Sequence, residues 1–147
     1  MPRHDIAMLC LLALRDEAAR DFLREQNWRE TLAQVPDAEI LVRILESDLR
    51  PSDAASLNAF MATLSSTDEG LVSSWLLQKV PSNAETMVEK WWLGIRQAVL
   101  RRQLDVAKDR IKLRQLSTGE VVNLQKQILD LQEQLHELSQ PAGAAES

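Results

Sequence analysis

Residues 83–139 read NAETMVEKWWLGIRQAVLRRQLDVAKDRIKLRQLSTGEVVNLQKQILDLQEQLHELS, and the spacing of their apolar side chains decides the fold. From Asn83 to Leu116 there is no Pro and a single Gly, Gly94. At about 1.5 Å per residue an unbroken helix over this stretch would be on the order of 50 Å long, longer than a bundle built from the preceding residues can cover. Placed at 100° steps, Ala84, Val88, Trp91, Ile95 and Val99 share one stripe. Leu100, Leu104, Ala107 and Ile111 share a second, rotated by roughly 150° from the first. The first half of the helix is therefore expected to face an N-terminal bundle, with Trp91 as anchor and Trp92 at the margin, and the second half a different partner.

The end of the stretch supplies that partner. Val121, Leu124, Ile128, Leu131, Leu135 and Leu138 recur at a 3-4-3-4-3 spacing, the seam pattern of a coiled coil. A connection of a few residues forces this last helix to run antiparallel beside its predecessor. Charge favours the pairing modestly. Residues 96–114 hold seven basic and two acidic side chains, residues 118–139 one basic and four acidic. Exposed ion pairs are worth only about 0–1 kcal/mol each, so the apolar seam must carry most of the stability.

Working outward, the rest of the 147 residues divides at Pro and capping signals into further helices. Four Gly, five Pro, no Tyr and abundant Ala, Leu, Gln, Glu and Arg point to helix and away from sandwiches and barrels. Ile6 to Leu14 (IAMLCLLAL) is a continuous apolar run. Asp5 before it and Arg15-Asp16-Glu17 after it argue against a signal peptide, and it is far short of the ~20 residues that span a bilayer. It reads as a buried first helix, His4 to Arg15, in a cytoplasmic protein. A second helix is expected over residues 17–26, a short piece up to Val35, and an N-cap at Asp37 after Pro36. A further helix then carries Ile40, Leu41, Ile44, Leu45 and Leu49, and another, capped by Ser52 or Asp53, carries Leu57, Phe60, Met61 and Leu64. Ser66-x-x-Glu69, Ser82-x-x-Glu85 and Ser117-x-x-Glu120 each match the capping box and predict helix starts near 67, 83 and 118. The fifth helix, with Leu71, Val72, Trp75, Leu76 and Val80, is expected to stop at Pro81. The fold class is all-α: an N-terminal bundle over residues 1–99, which includes the first half of the long helix, an antiparallel hairpin over 100–139, and a disordered tail over 140–147.

Few residues suggest chemistry. His4 and His136 are far apart in sequence, and neither sits at metal-ligand spacing. Acidic pairs such as Asp16-Glu17 and Asp68-Glu69 stand at helix starts, where they offset the macrodipole. Cys10, the only cysteine, lies inside the apolar run with no base nearby and excludes an internal disulfide framework. A net charge of −5 argues against sequence-independent DNA binding by the whole chain. The basic run Arg96 to Arg114 beside Trp92 keeps a single-stranded nucleic-acid platform among the alternatives. No catalytic residue, cofactor or metal site is expected, and the chain does not read as an enzyme.

Some apolar side chains fit neither stripe nor seam. Val122 and Leu129, seven apart, lie well off the seam of the last helix. Val99, Val106 and Leu113, likewise seven apart, prolong the bundle-facing stripe. On a hairpin with one internal seam, extra apolar rows suggest a docking surface; they could also pack back on the bundle or be scattered surface residues. The candidate partner-binding residues are Val106, Lys112, Leu113, Arg114, Val122, Lys126 and Leu129, because cationic and apolar anchors are the usual energetic centres of interfaces.

The layout of bundle, long helix and antiparallel seam helix resembles the C-terminal, helicase-binding domain of bacterial replicative DNA primase. The likeness extends over nearly the whole chain. It is carried by IAMLCLLALRDEAARDFL, by VPSNAETMVEKWWLGIRQAVLRRQLDVAKDRIK and by LSTGEVVNLQKQILDLQEQLHEL. It implies a non-catalytic domain whose hairpin, here about Leu100 to Ser139, docks on the N-terminal domains of the hexameric replicative helicase and couples priming to unwinding. It also implies a larger primase whose zinc-binding and catalytic modules are not in this sequence. The helicase's own N-terminal domain has a similar bundle and is the nearest alternative; the short polar tail after the hairpin favours primase. A monomer is expected, without membrane contact or direct nucleic-acid binding. The remaining alternatives are a coiled-coil adaptor that dimerises through the 121–138 seam and the nucleic-acid module already described.

Overall fold

The computed structural model describes residues 3–112 and 116–139. Among them all regular structure is helical: α1 (His4–Arg15), α2 (Glu17–Glu25), α3 (Trp28–Leu32), α4 (Glu39–Glu46), α5 (Ala54–Met61), α6 (Ser66–Leu76), α7 (Ala84–Ile111) and α8 (Thr118–Ser139). The chain divides into two compact units, Met1–Trp92 and Leu93–Ser147, and the division falls inside α7. Residues 140–147, where the disordered tail is expected, lie outside the described residues.

The first unit is organised around α1, which packs against α2, α4 and α6. Ile6, Leu9, Cys10, Leu11, Leu12, Ala13 and Leu14 are all buried. A helix apolar on every side is stable only where other elements surround it, and the run IAMLCLLAL fills that place. Ile40, Leu41, Ile44, Leu45 and Leu49 are buried as one face, as their spacing requires. At the C-terminal end of α1, an Arg15 guanidinium nitrogen donates to the carbonyl oxygen of Leu76, the last residue of α6. The cation thereby meets an orphaned carbonyl at the negative end of a helix dipole.

Several local expectations shift by a residue or a turn. The cap of α6 is Ser65, whose hydroxyl accepts from the Asp68 amide, so the capping pair begins one residue before Ser66. Helix α7 begins at Ala84, with the Met87 amide donating to the Asn83 carbonyl oxygen. At α8 the Ser117 hydroxyl accepts from the Glu120 amide as expected. The Glu120 carboxylate, however, accepts from that same hydroxyl and not from the Ser117 amide, so the box is half closed. Asp37 is not the N-cap of α4. Its φ is +59°, and Ala38 occupies the cap position. Asp tolerates the left-handed region because its short side chain bonds locally, and the reversal after Pro36 uses that tolerance. Helix α6 ends at Leu76, well before Pro81, and Leu77 at its C-cap is 88% exposed.

The second unit is a hairpin, with α7 packed along α8. Leu104 and Ala107 of α7 and Leu124 and Leu131 of α8 are buried; Leu100, Ile111, Val121, Ile128, Leu135 and Leu138 are half-buried along the same seam. Every seam residue expected from the 3-4 spacing thus lies on the covered side of its helix. Helix α7 is regular to Ile111 and Lys112 is in a turn, so the helix is shorter than the Pro-free stretch.

Candidate interaction surface

The seam fixes which sides of the hairpin face outward. Leu100, Leu104, Ala107 and Ile111 share one direction on α7, and the six seam residues share one direction on α8. Whatever lies more than a quarter-turn from those directions is left for solvent or a partner. Val106 is 52% exposed, Val122 42% and Leu129 65%, so these three large apolar side chains stand in the open. Lys112 and Lys126 are exposed as well. Leu113 and Arg114, the other two candidates, lie outside the described residues.

Helical geometry separates the three exposed apolar residues into two groups. At 100° per residue, Val106 lies roughly 130° from the α7 seam in one rotational sense. Val122 and Leu129 lie roughly 130–150° from the α8 seam in the other sense. In an antiparallel pair, rotations of opposite sense lead to opposite faces of the hairpin. No single flat partner therefore covers Val106 together with Leu129. Val106 is framed four residues away on either side by exposed Arg102 and Arg110, which the sequence pattern did not single out. Leu129 is framed by exposed Lys126 and Glu133. Among the described residues, no Lys or Arg of α7 lies within ion-pair distance of an acidic side chain of α8, so the opposite helix charges act through the general field alone.

The two adjacent tryptophans exchange their expected roles. Trp92 is 2% exposed, with its indole Nε1 buried and without an acceptor; Trp91 is half-buried. The Trp91 ring meets the His4 ring edge-on, with centroids 5.4 Å apart and planes at 77°. Measured from Val88, Trp92 is rotated by about 40° and Trp91 by about 60° the other way, so periodicity hardly distinguishes them and packing decides. A buried Trp92 offers no ring to a base.

Elsewhere in the first unit, a cavity of about 550 Å³ opens between α4 and α5, lined among others by Arg43, Asp48, Leu49 and Phe60. The cavity's polar rim is largely engaged already: Glu46 accepts from Arg29 at 2.8 Å and the Ser56 hydroxyl accepts from the Arg50 amide at 2.9 Å. Arg20 is the one buried charged side chain among the described residues, 1% exposed. Its Nη2 donates to the Ser47 carbonyl oxygen at 2.9 Å, at the end of α4, while Nε has no partner. Desolvation lowers the guanidinium pKa, with the charge of Arg24 acting in the same direction. No sequence signal separates Arg20 from the exposed arginines of the bundle, except that it lies three residues before Leu23 on the buried face of α2.

Among the described residues no group of three or more His, Cys, Asp or Glu side chains is placed to hold a metal ion, and no helix is long and apolar enough to cross a membrane. Comparison of the chain with protein-family models, curated proteins and solved structures finds no match.

Proposed function

We propose that this chain is a non-catalytic, cytoplasmic interaction module of the primase type, whose α7–α8 hairpin docks on the N-terminal domains of a hexameric replicative helicase. The observation that carries the reading is the hairpin itself: its seam is satisfied internally, yet Val106, Val122 and Leu129 remain exposed on it. Exposed apolar side chains framed by charged ones are what the centre and rim of a protein interface are made of. The two-faced placement suits a partner that repeats its surface, as a ring of identical subunits does. The adaptor alternative has less support, because the 121–138 seam is already occupied by α7.

Capture of the organism's replicative helicase on the immobilised chain tests the reading. Deleting residues 119–147 should leave the first unit folded and abolish capture; full capture by that truncation overturns the reading. Val122→Asp with Leu129→Asp should keep the helix content and weaken binding more than tenfold. A loss of helicity instead would place both residues in a core.

A further inference from the structure

On α8, the exposed face carries Val122, Lys126, Leu129, Glu133 and His136, spaced 4-3-4-3. This is a second heptad row, on the side of the helix away from the seam that α7 covers. Its charges are complementary about Leu129. Lys126 lies three residues before it and Glu133 four after, while Val122 lies seven before and His136 seven after.

We propose that this row is a self-association face, on which α8 of a second copy of the chain lies antiparallel with the two-fold axis at Leu129. An isologous contact requires a surface that complements itself under two-fold rotation. With Leu129 against Leu129 of the second copy, Lys126 of each chain faces Glu133 of the other, and Val122 of each faces His136 of the other. Two ion pairs then flank one apolar centre, and no like charges are opposed. A parallel arrangement would instead stack Lys126 on Lys126 and Glu133 on Glu133, so the row selects the antiparallel one. The contact span from Val122 to His136 is about 21 Å, and only Val122 and Leu129 are large and apolar. The buried area therefore falls at the small end of specific interfaces, and the dimer is a weak one. This inference does not depend on the helicase reading.

Sedimentation velocity of the full chain from about 10 µM to 1 mM tests it. The weight-average mass should rise toward that of a dimer, and Leu129→Asp should hold it at the monomer. Lys126→Glu or Glu133→Lys alone replaces two attractive pairs by two repulsive ones and should weaken association roughly tenfold. The double exchange Lys126→Glu with Glu133→Lys restores both pairs and should return the affinity to near the starting value. Circular dichroism accompanies each variant, and Leu129→Gln replaces Leu129→Asp if that variant loses helix. A chain that stays monomeric at 1 mM overturns the proposal; so does a double exchange that stays as weak as the single changes. If Leu129→Asp impairs helicase capture in a chain that never dimerises, the face belongs to the helicase and the functional reading stands. If the chain dimerises as described but captures no helicase, that reading alone fails.

Discussion

Arg20 is a cation held in the interior by one hydrogen bond, from its Nη2 to the Ser47 carbonyl oxygen, and by a 3.7 Å ion pair with the exposed Asp21 carboxylate. Burial of such a group costs energy that partners only partly return, so shape matters more than charge here. Arg20→Ala should destabilise the first unit by about 2–4 kcal/mol, because it removes both the packing of the long side chain and the bond to the end of α4. Arg20→Met, which keeps the volume, should cost less than about 1 kcal/mol or stabilise; urea unfolding separates the two. Cys10 gives a pH-dependent counterpart. Burial pushes its thiol well above the ordinary value of 9.0, so the folded state holds the proton that the unfolded state releases. Stability is therefore unaffected below that value and falls as pH rises above it, by about 1.4 kcal/mol per unit. Cys10→Ala should abolish this alkaline slope in denaturation curves at successive pH values. The burial of Cys10 was legible from the sequence, since it sits in a continuous apolar run. The burial of Arg20 was not, because periodicity gives a position on a face but not whether a long cation crosses it. For Trp91 and Trp92 the helical wheel gave the wrong choice, since adjacent residues flank one direction and the ring of His4 meets Trp91.

At the scale of elements, the apolar runs and the heptad spacing were sufficient. Helices α1 and α8 begin and end where the sequence suggests, since both have strong periodicity and clear flanking signals. The boundaries that moved are those with competing caps. Ser65 and Ser66 stand side by side before α6, and the structure chooses Ser65 because its hydroxyl reaches the Asp68 amide. Ser65→Ala should cost about 1 kcal/mol and Ser66→Ala less than about 0.5 kcal/mol, which thermal unfolding of the two variants resolves. The seam admits a similar test. Leu124 and Leu131 are 7% and 5% exposed on α8, and their replacement by Ala should each cost the hairpin about 2–4 kcal/mol. Amide exchange should accelerate along α8, with α1 and α4 unchanged.

Across the whole molecule, the charge and the aromatics are unevenly spread along the chain. Trp28, Trp75, Trp91 and Trp92 all belong to the first. Tryptophan fluorescence therefore reports that unit alone, whereas far-ultraviolet circular dichroism reports both. In Leu131→Ala the loss of ellipticity should begin at lower denaturant than the change in fluorescence; coincident curves would mean that the units unfold as one. The net charge of −5 is likewise an average. Residues 1–82 hold eight basic and 13 acidic side chains, while residues 83–147 hold nine of each. That division could be read from the sequence. The place where one unit ends could not, because the periodicity runs through Trp92 and Leu93 without a break.

The position of the single thiol has a practical consequence. Cys10 is completely buried in the helix around which α2, α4 and α6 assemble, and no reagent reaches its sulfur unless that assembly opens. The rate at which a thiol-specific dye reacts with the unaltered chain is thus a clock for the opening of the first unit. A second cysteine placed on the exposed surface of α8 would react at once while Cys10 stayed silent. The hairpin can therefore carry a dye or spin label at a chosen site with no cysteine removed, and delayed uptake of a second equivalent marks the moment the bundle gives way.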